Sequence, residues 1–91
     1  MRQIHKFVIP VAEKFEFSMP TGATLLGIHE QGDRACLWAL VDPNAPPRKR
    51  HFRVYGTGHD ILNVHSLVFI GTFLLQEGTF VGHVFEELAP S

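Results

Sequence analysis

Between Arg34 and Val41 the chain offers no side to water. Ala35, Leu37, Ala39 and Val41 fall on one face of an extended strand, and Cys36, Trp38 and Leu40 fall on the other. Leu67 to Leu75 repeats the pattern, with Leu67, Phe69, Phe73 and Leu75 opposing Val68, Ile70 and Leu74. A strand with one wet face alternates apolar and polar residues, so two strands that do not alternate both need cover on two faces. The second run is the longest strongly apolar stretch. It is far shorter than the roughly 20 residues that a helix needs to cross a bilayer.

The rest of the chain reads as strands with short connections. Gln3 to Ile9 is extended and closed by Pro10. Phe15 to Met19 alternates, with Phe15, Phe17 and Met19 on one face. Pro20-Thr21-Gly22 is a turn, Thr24 to Gln31 follows, and Gly32-Asp33 makes a hairpin into Arg34 to Val41. Asn44 to Pro47 is a stiff, proline-rich loop. Arg48 to Tyr55 sets His51, Arg53 and Tyr55 on one face and Phe52 and Val54 on the other. Gly56 to Asp60 is a loop, and Ile61 to Ser66 is either loop or a short turn of helix. Leu67 to Gln76 and Thr79 to Glu86 form a last hairpin around Glu77-Gly78. No segment sustains a period of 3.6 residues. The expected fold is one all-β domain over residues 1–91, a small antiparallel β-sandwich or partly closed barrel of about seven strands.

Composition narrows the setting. Hydrophobic residues make up 45% of the 91 residues, which excludes a disordered chain. A formal charge of −1 gives no dominant attraction to nucleic acid or to a membrane surface. The single cysteine, Cys36, cannot form an internal disulfide, whereas small secreted domains usually carry several. Met1 to Pro10 alternates polar and apolar residues and lacks the pattern of a secretory leader. The cytoplasm is therefore the expected location. An isolated sandwich buries only its inner faces, so a homo-oligomer is expected, with Trp38, Leu40, Phe69 and Phe73 at the interface. The competing explanation lies within one chain, with the proline loop and the Ile61 to Ser66 segment folded over a sheet.

Three blocks give the chain a familiar outline. They are Cys36-Leu37-Trp38-Ala39-Leu40-Val41-Asp42-Pro43, then Arg53-Val54-Tyr55-Gly56-Thr57-Gly58-His59, then Phe69-Ile70-Gly71-Thr72-Phe73 leading to His83-Val84-Phe85-Glu86. With the Met19 to Ala23 turn, they resemble a family of short uncharacterised proteins of tailed phages and prophages. The resemblance covers nearly the whole chain. It implies expression in a bacterial host cytoplasm and action on host machinery or defence, and it brings no catalytic residue or cofactor with it.

The candidate ligand-binding residues are Arg53, Tyr55, Thr57, Gly58 and His59. Two glycines let a backbone approach a ligand, and their N–H groups can cradle an anion. Arg53 supplies a fork, Tyr55 and Thr57 supply hydroxyls, and His59 is a switchable donor. The plainer reading makes this loop a tight corner in which Thr57 and Asp60 bond the backbone. Six histidines fit no metal-ligand spacing, so no metal and no cofactor are expected. The basic run Arg48-Lys49-Arg50-His51 with Arg53 either contacts phosphates or guards a solvated edge strand. The second is preferred, and nucleic acid is not an expected partner. Glu86 and Glu87 are expected at the surface. The functional expectation is a non-enzymatic binding protein acting on a host protein or a small anionic ligand. The alternatives are a small hydrolase with His59 or His83 as general base, or a structural part of the virion.

Overall fold

The computed structural model describes residues 1–88. Its strands are β1 (Gln3–Val8), β2 (Lys14–Pro20), β3 (Thr24–Gln31), β4 (Arg34–Val41), β5 (Pro47–Tyr55), β6 (Leu67–Leu75) and β7 (Phe80–Glu87). They form two antiparallel sheets, β1-β4-β3 and β2-β5-β7-β6, packed as an open sandwich. The alternative of a partly closed barrel is thereby decided. The ambiguous Ile61 to Ser66 segment contains a 3₁₀ turn at Val64–Ser66. No helix among the described residues is long and apolar enough to cross a membrane.

The alternation read from sequence sets the core. Ala35, Leu37, Ala39 and Val41 of β4 are all buried, facing Phe15, Met19, Phe52 and Val84 of the other sheet. Phe52 stacks on Phe15 at 5.2 Å, and Phe17 bridges to Phe7 at 5.3 Å. At ~25 cal/mol per Å² of apolar surface, such side chains supply most of the drive to fold. The chain changes sheet three times, and two of those corners, β2 to β3 and β4 to β5, are tied together. The Thr21 backbone N–H and hydroxyl both donate to Pro46 O, at 2.9 and 2.6 Å. The proline loop is thus a corner brace and not a cover for a sheet.

The outer face of β4 is shielded by its flanking strands. Cys36 is fully buried there although it points away from the core. Lys6 of β1 reaches over to Gln31 of β3, its Nζ donating at 2.6 Å, so its aliphatic stem lies across an apolar face while its charge stays wet. Trp38 Nε1 is shielded from solvent without a hydrogen-bond partner, a cost of about 1–3 kcal/mol.

A bulge corrects the reading of β6. The register slips between Phe69 and Gly71, so Ile70 is the extra residue and the faces exchange beyond it. Phe69 is exposed, whereas Phe73 is buried in the core against Phe80. Strict alternation had placed the two on one face. The expected interface of Trp38, Leu40, Phe69 and Phe73 is therefore divided, with the first two on the outer face of the three-stranded sheet and Phe73 inside.

The edge strands β3 and β6 nearly meet. Gly71 lies against Ile28, where a Cβ would come within 2.9 Å of the isoleucine side chain. Farther along, the Leu74 N–H on the open edge of β6 donates to Glu30 Oε1 at 2.7 Å. That bond holds the Glu30 carboxyl below the ordinary carboxylate range. A depressed folded-state value means the contribution is present above the unfolded-state pKa and is lost as pH falls through the folded one. Glu30→Gln should therefore flatten the acid limb of the stability profile. Thermal melts from neutral pH to about pH 3 would check this, and an unchanged acid limb would show that the contact does not act.

Candidate functional site

The order β2-β5-β7-β6 forces one long connection. β7 lies between β5 and β6, so these two run parallel and the chain must cross over β7 to join them. Residues 56–66 make that crossing on the outer face of the four-stranded sheet. The crossing starts with a tight turn, His59 N–H donating to Gly56 O at 3.1 Å and Gly58 taking φ 85°. Near its far end Asn63, a residue type that tolerates a left-handed backbone, takes φ 58° and leads into the Val64–Ser66 turn.

Two contacts pin the crossover to the sheet. Thr57 Oγ1 lies 2.8 Å from His83 Nε2, and Thr72 Oγ1 lies 2.9 Å from His83 Nδ1. The imidazole of β7 thus sits between two hydroxyls, one from the loop and one from β6. Either hydroxyl can donate or accept, so the pair suits more than one tautomer. At the far end the Leu88 N–H donates to Ser66 O at 2.9 Å. A hydroxyl beside an imidazole is also the start of a nucleophile–base pair, but here the third member is a threonine in place of a carboxylate.

Beneath the crossover lies a cleft of about 400 Å³ lined by Arg53, Tyr55, Asp60, Leu62, Asn63, Ser66, Leu67 and Glu87. Arg53 Nε donates to Glu87 Oε1 at 3.2 Å, which fixes the guanidinium at the cleft wall. Tyr55 packs edge-on against Phe85 at 5.6 Å, and Phe85 against Phe69 at 5.3 Å, giving a row of three rings across the sheet. Asp60 makes no ion pair among the described residues.

The expected ligand set is therefore split. Arg53 and Tyr55 line the cleft, Thr57 latches the loop to His83, and Gly58 only makes the turn. The His59 ring packs where a Gly56 side chain would lie, and it lines a different cavity with Val54 and Phe80. It cannot share a ligand atom with Arg53 in this arrangement. Sequence reasoning missed Asn63, Ser66 and Glu87 as cleft residues and Thr72 as a partner of His83.

Glu86 and Glu87 are not surface residues. Their side chains are 14% and 9% exposed and hold Arg50 and Arg53 respectively. This also accounts for the basic run. Lys49 and His51 sit 3.7 and 3.5 Å from Glu16, and Arg50 is held bidentately by Glu86 at 2.6 and 2.8 Å. Of that cluster only Arg48 has no carboxylate partner among the described residues, which is the pattern of a neutralised strand and not of a phosphate-binding stripe.

Among the described residues no group of three or more His, Cys, Asp or Glu side chains converges to hold a metal ion. In comparison with known proteins, a family model matches residues 1–91. No curated protein and no solved structure matches the chain.

Proposed function

The chain belongs to the family described as Domain of unknown function (DUF7352), and on that premise we propose that it is a phage- or prophage-encoded, non-enzymatic binding protein that recognises a host protein in the bacterial cytoplasm. The phage setting rests on the resemblance carried by the three sequence blocks. The observation that carries the binding reading is the cleft under the crossover, which sets a fixed Arg53, the edge of Tyr55 and the uncommitted Asp60 around one cavity. Tyrosine and arginine are the side chains over-represented where protein partners bind tightly, and the volume admits one or two partner side chains.

Charge selects among ligand classes. The cleft has one positive group, Arg53, against two negative ones, Asp60 and Glu87, a formal net of −1. A small anion is the poorer fit, and a basic or amide side chain from a partner protein is the better one. Arg53 then serves to hold Glu87 and to present its remaining N–H groups to a backbone carbonyl.

Wild-type protein and Asp60→Arg, each immobilised and exposed to host lysate, test this by quantitative mass spectrometry. The expected result is a host protein enriched about tenfold or more on the wild type and lost on Asp60→Arg, with circular dichroism unchanged. Equal recovery on both would exclude the cleft as the binding site.

A further inference from the structure

Hydrophobic exposure is concentrated around β6. Six of the eleven large apolar side chains exposed among the described residues lie around its first half: Leu62 and Val64 on the crossover, Val68 and Phe69 on β6, Leu26 on β3 and Leu88 after β7, with Leu74 exposed at its far end. Leu62 is 77% exposed and Phe69 56%. Leu26, Val68 and Phe69 share a groove of about 480 Å³ with Ile70, where β3 and β6 splay apart at facing bulges. The bond from Leu88 to Ser66 brings Leu88 beside the start of β6.

Size and charge say what fits this surface. The six side chains expose roughly 600 Å², at the top of the range for the largest patch on a soluble monomer. With their polar surround they approach the ~800 Å² that each partner contributes to a standard stable interface. The outer face of the three-stranded sheet is smaller, because three strands of about 4.8 Å spacing span only some 14 Å. The ionic groups lining the groove, Arg50 and Glu86, neutralise each other. Exposed apolar side chains around a groove of no net charge are best matched by another apolar surface of no net charge, and this chain carries one.

We propose that a second copy of the chain docks on this patch, giving a twofold dimer in which the β6 side of one protomer covers the β6 side of its partner. A twofold interface uses the same patch on both chains, which a single concentrated patch satisfies. Leu62 also lines the cleft, but the dimer uses none of the cleft's charged groups and forms without the proposed host partner.

Sedimentation velocity with light scattering on the full chain, from about 5 to 200 µM, is the test. The wild type should have the mass of a dimer. Phe69→Glu and Leu62→Glu should each raise the dissociation constant about tenfold or more with unchanged circular dichroism, and Ile4→Glu on the other sheet should leave the dimer intact. Should Phe69→Glu unfold, Leu62→Glu on the exposed crossover decides. A monomeric wild type across that range, or a dimer that survives in folded Leu62→Glu, overturns the proposal.

Discussion

Replacing Arg50 by methionine should lower unfolding free energy by about 2–4 kcal/mol, a loss of roughly 10–20 °C in Tm for a domain of this size. Arg50 points inward from β5 and joins three elements. Its Nε and one terminal nitrogen grip Glu86 of β7, and the other terminal nitrogen donates to Ala23 O, just before β3, at 2.5 Å. The two side chains are 23% and 14% exposed, so part of the effect of full burial is lost to solvent screening. Without the guanidinium, the Glu86 carboxylate is left unpaired in a mostly dry position and Ala23 O loses its donor. The penalty comes from those unpaired groups more than from the pair itself. Arg50→Met combined with Glu86→Leu should therefore recover most of the loss, because an apolar pair of similar volume replaces a shielded ion pair at little cost. Urea unfolding of the two single variants and the double variant checks this. A loss below about 1 kcal/mol in Arg50→Met would mean that the guanidinium does not bridge the sheets.

Gly82→Ala is the second large expected effect, a loss of about 2–3 kcal/mol. Gly82 of β7 pairs with Phe73 of β6, both facing inward. The Phe73 ring lies over Gly82 so closely that a methyl there would overlap ring atoms. The ring is 4% exposed and packed on Phe80, so it has little room to yield. Phe73→Leu in the Gly82→Ala background should restore part of the loss, and by itself should cost about 1 kcal/mol. A neutral Gly82→Ala would place the Phe73 ring outside the core.

Phe73 also shows where sequence reading stops. The number and faces of the strands were legible because alternation repeats every two residues and is decided locally. β2 and β5 put the expected residues inside, Phe15 and Met19 in the first and Phe52 in the second. A bulge adds one residue without altering composition, so nothing in Phe69-Ile70-Gly71-Thr72-Phe73 except the glycine marked the exchange of faces. The outer face of β4 was expected to be covered by a second copy or by the proline loop and the Ile61 to Ser66 segment, and Lys6 and Gln31 reach across it in this structure. The cover supplied by Lys6 and Gln31 comes from opposite edges of a sheet whose order the sequence does not disclose.

The site was half legible for a related reason. Arg53 and Tyr55 share a face by alternation, and that held. Whether they meet Asp60, Asn63 and Glu87 depends on β7 inserting between β5 and β6, a long-range pairing that no local spacing encodes. The Gly56 to His59 loop looked like a ligand cradle, but its glycines make a turn, its threonine latches to His83, and its histidine packs back on Gly56. Ion pairing was equally hidden. Glu86 and Glu87 are consecutive charged residues at the end of β7, where exposure is the default, yet each is folded against an arginine of β5.

The claim that the crossover cleft is where this protein meets its partner can be tested inside host cells by placing a photo-crosslinking amino acid at Leu62, on the cleft rim, and separately at Ile4, on the opposite sheet. A discrete host-protein adduct should form from Leu62 and be absent from Ile4. A product at twice the chain's mass reports self-association and is distinguished by size. The same host adduct from both positions, or none from Leu62, would mean that the partner does not bind at the cleft.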